Sequence, residues 1–545
     1  MLGEIARRVE AGESWDATER AARRAVALHP NFASSYVALG AFAERNADGL
    51  DALQRALALW PASVPVRHQL ASRRMAHGAS TADVAALSDA AAEFAALARH
   101  GVDADYSKIV ALQPDWRTTI AEVFNERIEN CDYRDRDALF SRSARVLAAY
   151  DFQVRVSSLH LLYWPWTSGR AGRATRGVYS HTAARVRAAA PPAALPPSCV
   201  RGRRVRLNIA YAGADFREHV TLRLLLGVLE HHDASHFRVA CLAFGRRGRR
   251  RTGGPLRERA AAACESLVEL DGVGDEAARV RAEADILLDT NYKKGVNAPG
   301  NVAMAAARPA VSVNFLAHPA TGGHQHYVAV DRVAAPPALA PAFHERLVIM
   351  PAHYQVNAHA AEPRGRSTSR AAELGGGVDD APIVAFAANP AKLSPEAFAG
   401  VAHALARTPR AVLWLVSYPL APTDELSGEE ACAAQRRRVQ RELHAVGVRS
   451  RRVLWSELAE TAAHVGRAGL ADVHVDGVMY NAHTTAADAV WAGVPHVTMR
   501  GEQMASRVGS AVVSAVGGGS AVTASLREAA GVVVALLVGG VRRLV

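Results

Sequence analysis

Hydrophobic positions along the chain follow two rhythms, which change over near residue 200. Residues 1–115 are Ala-rich, with apolar side chains at helical spacing and few β-branched runs, which predicts a helical region. A lead-in, 116–200, ends in the Pro/Ala-rich stretch AAAPPAALPPS (188–198), a composition that predicts a linker. Beyond it, short β-branched runs alternate with helical stretches: RVRLNIAYAG (204–213), HFRVACLAFG (236–245), ADILLDT (284–290), AVSVNFLA (310–317) and YVAVD (327–331). ELGGGVDDAP (373–382) interrupts the series. It then resumes with PIVAFAA (382–388), AVLWLVS (411–417), RRVLWS (451–456), ADVHVD (471–476) and PHVTM (495–499). Such alternation predicts parallel α/β sheets. The divisions read from it are a helical region 1–115, a lead-in 116–200, lobes 201–375 and 376–517, and a tail 518–545. Doubly wound lobes bind ligands outside the carboxyl ends of their strands, so a cleft between the two is the expected site.

The helical region is internally similar. RAVALHPNFASSYVALG (24–40) returns in part as RALALWPASVPVRHQLA (55–71), with Pro30 and Pro61 in register 31 residues apart, and IVALQPDW (109–116) is a third echo. An aromatic followed by Leu-Gly, small residues at the helix crossing and a closing Pro resemble the tetratricopeptide repeat, whose unit is normally about 34 residues. Helix pairs of this sort bury their apolar faces only by stacking, so a short solenoid is expected.

At 545 residues the chain can bury several cores without disulfides or metals. Its formal charge of +11 comes from about 60 Arg and only four Lys spread over every segment, which fits an arginine-biased composition rather than a nucleic-acid stripe. The five cysteines (Cys131, Cys199, Cys241, Cys264, Cys432) are scattered without a C-x-x-C pair and read as ordinary reduced thiols. The apolar run 532–541 is about half the roughly 20 residues of a membrane helix. The first residues lack an apolar signal core, so cytoplasm or nucleus is the expected location. Asp103/Asp105 and Asp135/Asp137 have D-x-D spacing, but neither pair ends a lobe strand, and no metal is expected.

Chemistry concentrates in MYNAHTTAADAVWAG (479–493), where His483, Thr484 and Thr485 sit between the run ADVHVD and a helix-like stretch. Hydroxyls and bare amides at a helix start suit an anion, a diphosphate above all. The wider segment carries HVGRAG, LAD, NAHTTAAD, WAG and ASRV in one order. It resembles the closing catalytic half of the protein O-GlcNAc transferases. IAYAGADFREHVT (209–221), RPAVSVNFLAHPATGG (308–323) and NCDYRDRD (130–137) resemble that family's upstream segments. The resemblance covers about residues 120–517 and implies a GT-B fold of two Rossmann-like lobes behind a tetratricopeptide-like solenoid. It also implies an inverting, metal-free and cofactor-free transfer from UDP-GlcNAc to Ser or Thr hydroxyls of intracellular proteins held by the repeats.

The same resemblance implies roles. Lys392 in NPAKLSP would face the diphosphate, and His483, Thr484 and Thr485 would hold it with the helix amides. Asp488 would reach the ribose, while His464 and Arg467 would meet the uracil. His219 would stand near the anomeric centre, where positioning is the firmer role and proton abstraction the further one. Thr321, Gly322 and Gly323 would let backbone approach the sugar, and Lys294 and Gly295 fall near a family Lys-Gly. Two positions depart from the pattern: Asn389 replaces a glutamine and Thr461 a lysine. Asparagine at 389 is what the related SPINDLY-type O-fucosyltransferases carry, which keeps GDP-fucose as an alternative donor, alongside a repeat scaffold that binds without turnover. After Gly517 the family pattern is lost, which reads as a truncated or substituted final segment.

Overall fold

The computed structural model describes most of residues 15–74, a few positions between 128 and 140, and 206–539 with gaps at 246–252, 271–275, 292–299, 317–324, 362–368, 419–427 and three single positions. The chain separates into two compact units, Met1–Arg127 with Arg134–Val156, and Ile128–Tyr133 with Ser157–Val545. In the first, helices α1 (Trp15–Leu28), α2 (Ala33–Phe42) and α3 (Asn46–Leu59) follow one another through short turns. Pro30 lies in the turn after α1, and Pro61 follows α3, where a ring without an N–H ends a helix. A Cβ on Gly40 would collide with the Leu53 side chain, so the glycine is what lets α2 and α3 cross closely. This arrangement is consistent with tetratricopeptide-like repeats; the echo at 109–116 lies outside the described residues.

The second unit holds two all-parallel sheets. The first contains β1 (Leu207–Gly213), β2 (Phe237–Phe244), β3 (Ser266–Leu270), β4 (Ile286–Asp289), β5 (Val311–Asn314), β6 (Tyr327–Asp331) and β7 (Arg346–Met350), in the order β3-β2-β1-β4-β5-β6-β7. Its helices are α4 (Val220–Glu230), α5 (Pro255–Ala263), α6 (Glu276–Glu283) and α7 (Asn301–Ala307). The helix α8 (Arg370–Leu374) leads to β8 (Ile383–Phe386), α9 (Pro395–Arg407), β9 (Val412–Ser417), α10 (Gly428–Ala445), β10 (Val453–Glu457), α11 (Thr461–Ala468), β11 (Val473–Val475), α12 (Thr484–Trp491), β12 (His496–Met499), α13 (Val508–Ala515), β13 (Val522–Thr523) and α14 (Leu526–Gly539). Here the order is β10-β9-β8-β11-β12-β13. Both sheets reverse direction beside their first strand, the doubly wound signature, so the loops after β1, β8 and β11 open at the switch points.

Local sequence explains the elements. Strands β8 and β9 are buried along their whole length, as sheets covered by helices on both faces require. α9 starts with Ser394, whose hydroxyl accepts from the Ala397 N–H, followed by Pro395, and it buries Ala397, Phe398, Val401, Ala404 and Leu405 along one stripe. The lobes share an apolar contact in which Val328, Val330 and Tyr354 of the first meet Met504, Val508 and Ala511 of the second. Cys131 and Tyr133 belong to the second lobe's core. Tyr133 hydrogen-bonds the Leu393 carbonyl and packs edge-on to Phe398, centroids 6.2 Å apart. No described helix is long and apolar enough to cross a membrane.

Three strands escape the alternation pattern. β3 and β7 lie at the outer edges of the first sheet, half exposed, so neither needs a continuous apolar run; β13 is two residues long. The residues after 517 continue the second lobe. β13 pairs with β12, and α14 puts Ala530 and Val533 into the core. The reading of all five cysteines as reduced thiols is corrected, since Cys241 in β2 and Cys264 at the end of α5 form a disulfide with Cα atoms 6.1 Å apart. Their 23-residue separation gives no spacing signal, and only the packing of α5 beside β2 brings them together. Cys131 and Cys432 stay outside any disulfide, and burial pushes the Cys131 thiol up to about 12.

Candidate functional site

The loop after β8 carries Asn389 and Lys392. Asn389 caps the short turn 390–392, its Oδ1 accepting from the Ala391 N–H at 3.0 Å. The turn aims Lys392 at the segment ahead of α12. There its Nζ donates to the Asn481 carbonyl at 2.8 Å and lies 3.9 Å from the centroid of the Tyr480 ring. Burial lowers the Lys392 pKa to about 8, opposed by the nearby Asp476 carboxylate. A desolvated ammonium that keeps its charge near neutral pH is well matched to an arriving polyanion.

The loop after β11 is folded around Asp476. One carboxylate oxygen, Oδ1, accepts from the N–H groups of Gly477 (2.8 Å) and Ala482 (2.5 Å), and the other, Oδ2, accepts from the Thr498 hydroxyl at 2.7 Å. The buried Asn481 side chain donates to the Gly477 carbonyl at 2.7 Å and accepts from the Gly509 N–H at 3.2 Å. Gly477 is required by space, because a Cβ there would lie 2.5 Å from the Tyr480 carbonyl oxygen and 2.9 Å from that of Lys392. The loop delivers His483 to the N-cap of α12, its ring edge-on to Tyr480 at 4.9 Å. His483 makes no side-chain cap hydrogen bond to the helix, which suits the first-turn amides to an anion. Thr484 accepts from Gln355 Nε2 at 3.4 Å, and Thr485 follows it in the first turn.

One turn further, Asp488 is 2 % exposed. Its Oδ1 accepts from His359 Nε2 at 2.7 Å and from the Arg223 guanidinium at 3.2 Å. Burial alone would raise the Asp488 pKa; the His359 hydrogen bond and the Arg223 charge outweigh it and hold the carboxyl below its usual range. His464, on α11, lies in the same field: burial lowers its pKa, and Asp488 opposes that. Arg467 is tied into the fold, bonded to Glu373 at 2.6 Å and to the Glu457 carbonyl at 2.8 Å.

His219 stands after β1 as the N-cap of α4. Its Nδ1 accepts from the Thr221 N–H at 3.2 Å and lies 3.7 Å from Asp215 Oδ2. Arg223 follows it by one helical turn, so α4 presents His219 at its tip and Arg223 to Asp488 of the other lobe.

The structure thus gathers Lys392, His483, Thr484, Asp488 and His464 around α12. Thr321, Gly322, Gly323, Lys294 and Gly295 lie outside the described residues. So do Asp103, Asp105 and Asp135, while Asp137 pairs with Arg136. Asp476, Arg223, His359 and Gln355 escape the sequence reading. An acid ending a strand, and an arginine one turn after His219, are the only signals they give.

The family model described as Glycosyl transferase family 41 matches residues 185–364 and 368–540. The chain is similar to the Arabidopsis thaliana protein named probable UDP-N-acetylglucosamine–peptide N-acetylglucosaminyltransferase SEC, 28% identical over 348 residues, covering 62% of this chain and 33% of that one. A Petunia hybrida protein carrying the same enzyme name with the suffix SPINDLY is 25% identical over 321 residues, covering 57% of this chain and 32% of that one. The match therefore spans about a third of these relatives' length. A solved structure of a Thermobaculum terrenum O-GlcNAc transferase mutant shares the fold, with a TM-score of 0.60 at 20% identity over 98% of this chain and 88% of that one.

Proposed function

Because the chain belongs to glycosyl transferase family 41, we propose that it is an inverting protein O-GlcNAc transferase, moving N-acetylglucosamine from UDP-GlcNAc to Ser or Thr hydroxyls of intracellular proteins. The observation that carries this reading is the meeting of the Lys392 ammonium, 2.8 Å from Asn481 O, with the segment that leads into α12, whose N-cap His483 makes no side-chain cap hydrogen bond. As the glycosidic bond breaks, charge builds on the UDP β-phosphate. A fixed ammonium and helix amides stabilise that charge without having to reorganise. They meet the need for phosphate counter-charge, so the reading calls for no metal.

Within this reading the β-phosphate lies at His483, Thr484 and Thr485, with Asn389 beside it. His464 and Arg467 border the uracil and Asp488 the ribose, and Thr321 and Gly322 border the sugar. His219 orients the acceptor hydroxyl and the anomeric carbon. Its Nδ1 accepts the Thr221 amide hydrogen, which fixes the ring as a positioning group. Protein acceptors are assigned to the helical unit.

A second reading, a GDP-fucose donor, is favoured by Asn389 and by the SPINDLY relatives. Incubation with labelled UDP-GlcNAc or GDP-fucose and a Ser/Thr-rich acceptor separates the two. Transfer of GlcNAc supports the first reading and transfer of fucose the second. Donor binding without transfer or hydrolysis would make the chain a scaffold.

A further inference from the structure

Asp488, on α12, meets two residues from the other lobe: Arg223, one turn into α4, and His359 in the connector after β7. Both donors bind the same oxygen, Oδ1, at 3.2 Å and 2.7 Å. No donor among the described residues meets Oδ2. A carboxylate held by two directional bonds on one oxygen has its orientation restrained, and the other oxygen keeps its lone pairs for a further donor. His359 is itself held, its Nδ1 3.0 Å from Asn357 Oδ1 and its ring 5.6 Å from that of Trp491. Arg223 is 6 % exposed, so it has little freedom to leave.

We propose that Arg223 and His359 are positioning residues, which pin Oδ1 of Asp488 so that Oδ2 is presented to a ribose hydroxyl of the donor nucleotide. This deepens the UDP-sugar reading above and rests on it. The arrangement also links the two ends of the reaction. Arg223 sits one turn behind His219 on α4, so the residue that fixes the nucleotide carboxylate also fixes the helix carrying the candidate acceptor-side histidine. Nucleotide binding on the second lobe and acceptor positioning on the first would then share one buried contact. Removing either donor would cost ribose recognition rather than phosphate recognition, because Lys392 and the start of α12 are untouched.

The test is calorimetric binding of UDP and of 2′,3′-dideoxy-UDP to the full chain and its variants. The unmodified protein should prefer UDP by about tenfold or more, the range expected for a charge-assisted hydrogen bond. Asp488→Ala should erase the preference, and Arg223→Met and His359→Leu should each narrow it to less than about threefold. Arg223→Leu, which also removes the donor, serves if the Met variant does not fold. A merely structural role would weaken both ligands alike and leave the ratio intact. A ratio preserved in the folded Arg223 and His359 variants, with a clear preference in the unmodified protein, overturns the positioning inference alone. No preference in the unmodified protein overturns the ribose assignment of Asp488 as well, and no binding of UDP overturns the UDP-sugar reading itself.

Discussion

Replacement of Lys392 by Met isolates charge from shape, since the two side chains have similar length. In the folded protein Lys392 loses one hydrogen bond to Asn481 O and one cation–π contact with Tyr480. Leaving that buried carbonyl unpaired costs about 1–3 kcal/mol. Against this stands the relief of an ammonium whose pKa burial has pushed down to about 8 from 10.5, worth about 3.5 kcal/mol at roughly 1.4 kcal/mol per unit. The two nearly cancel, so the melting temperature should move by only a few degrees. Transfer loses the group that meets the departing diphosphate, and loss of one such fixed electrostatic contact costs about 3–4 kcal/mol, or roughly 10²–10³ in kcat. Single-turnover transfer from labelled UDP-GlcNAc, with calorimetric melting of the same samples, reads both quantities. A variant that melts normally and keeps more than a tenth of the rate would refute the assignment of Lys392 to the leaving group.

Three further predictions follow from the same contacts. Because the Lys392 pKa is depressed, the lysine loses its charge above about pH 8. Donor KM should rise toward tenfold per unit above that pH, and the rise should vanish in Lys392→Met; between about 8 and 10.5 the unfolded chain holds more protons, so this group's contribution to stability grows with pH. Asp476→Ala removes the acceptor of two loop amides and the Thr498 hydroxyl and should cost about 2–4 kcal/mol in urea unfolding, with UDP binding lost alongside; unchanged stability would contradict the loop's dependence on it. Deleting residues after Ser525 uncovers the core side of α14 at Ala530 and Val533 and should lower the second lobe's melting by several degrees; an unaltered transition would show that the tail packs without contributing.

The two lobes are legible in the sequence because strands buried on both faces must be nearly continuous apolar runs, as in PIVAFAA and AVLWLVS. Edge strands β3 and β7 carry no such demand and stay hidden. Lys392 and His483 stand out because they follow such runs directly. Arg223 and His359 look like ordinary polar positions, and their partner Asp488 lies 265 and 129 residues away. Nothing in local spacing encodes a contact that exists only when both lobes are folded. The Cys241–Cys264 pair is hidden because its 23-residue spacing carries no motif and only the packing of α5 beside β2 joins it, and Asp476 gives only the weak hint of an acid closing a strand.

The burial of Tyr133 against Leu393 and Phe398 has a consequence for biogenesis. The partners are separated by 260 residues, so at about 5–20 residues per second this short segment leaves the ribosome some 13–50 s before its neighbours exist. The entire first lobe is made in the interval. Newly made chains must therefore carry the Cys131–Tyr133 stretch without these partners until residues 393–398 are made, a window in which holdase chaperones would find it.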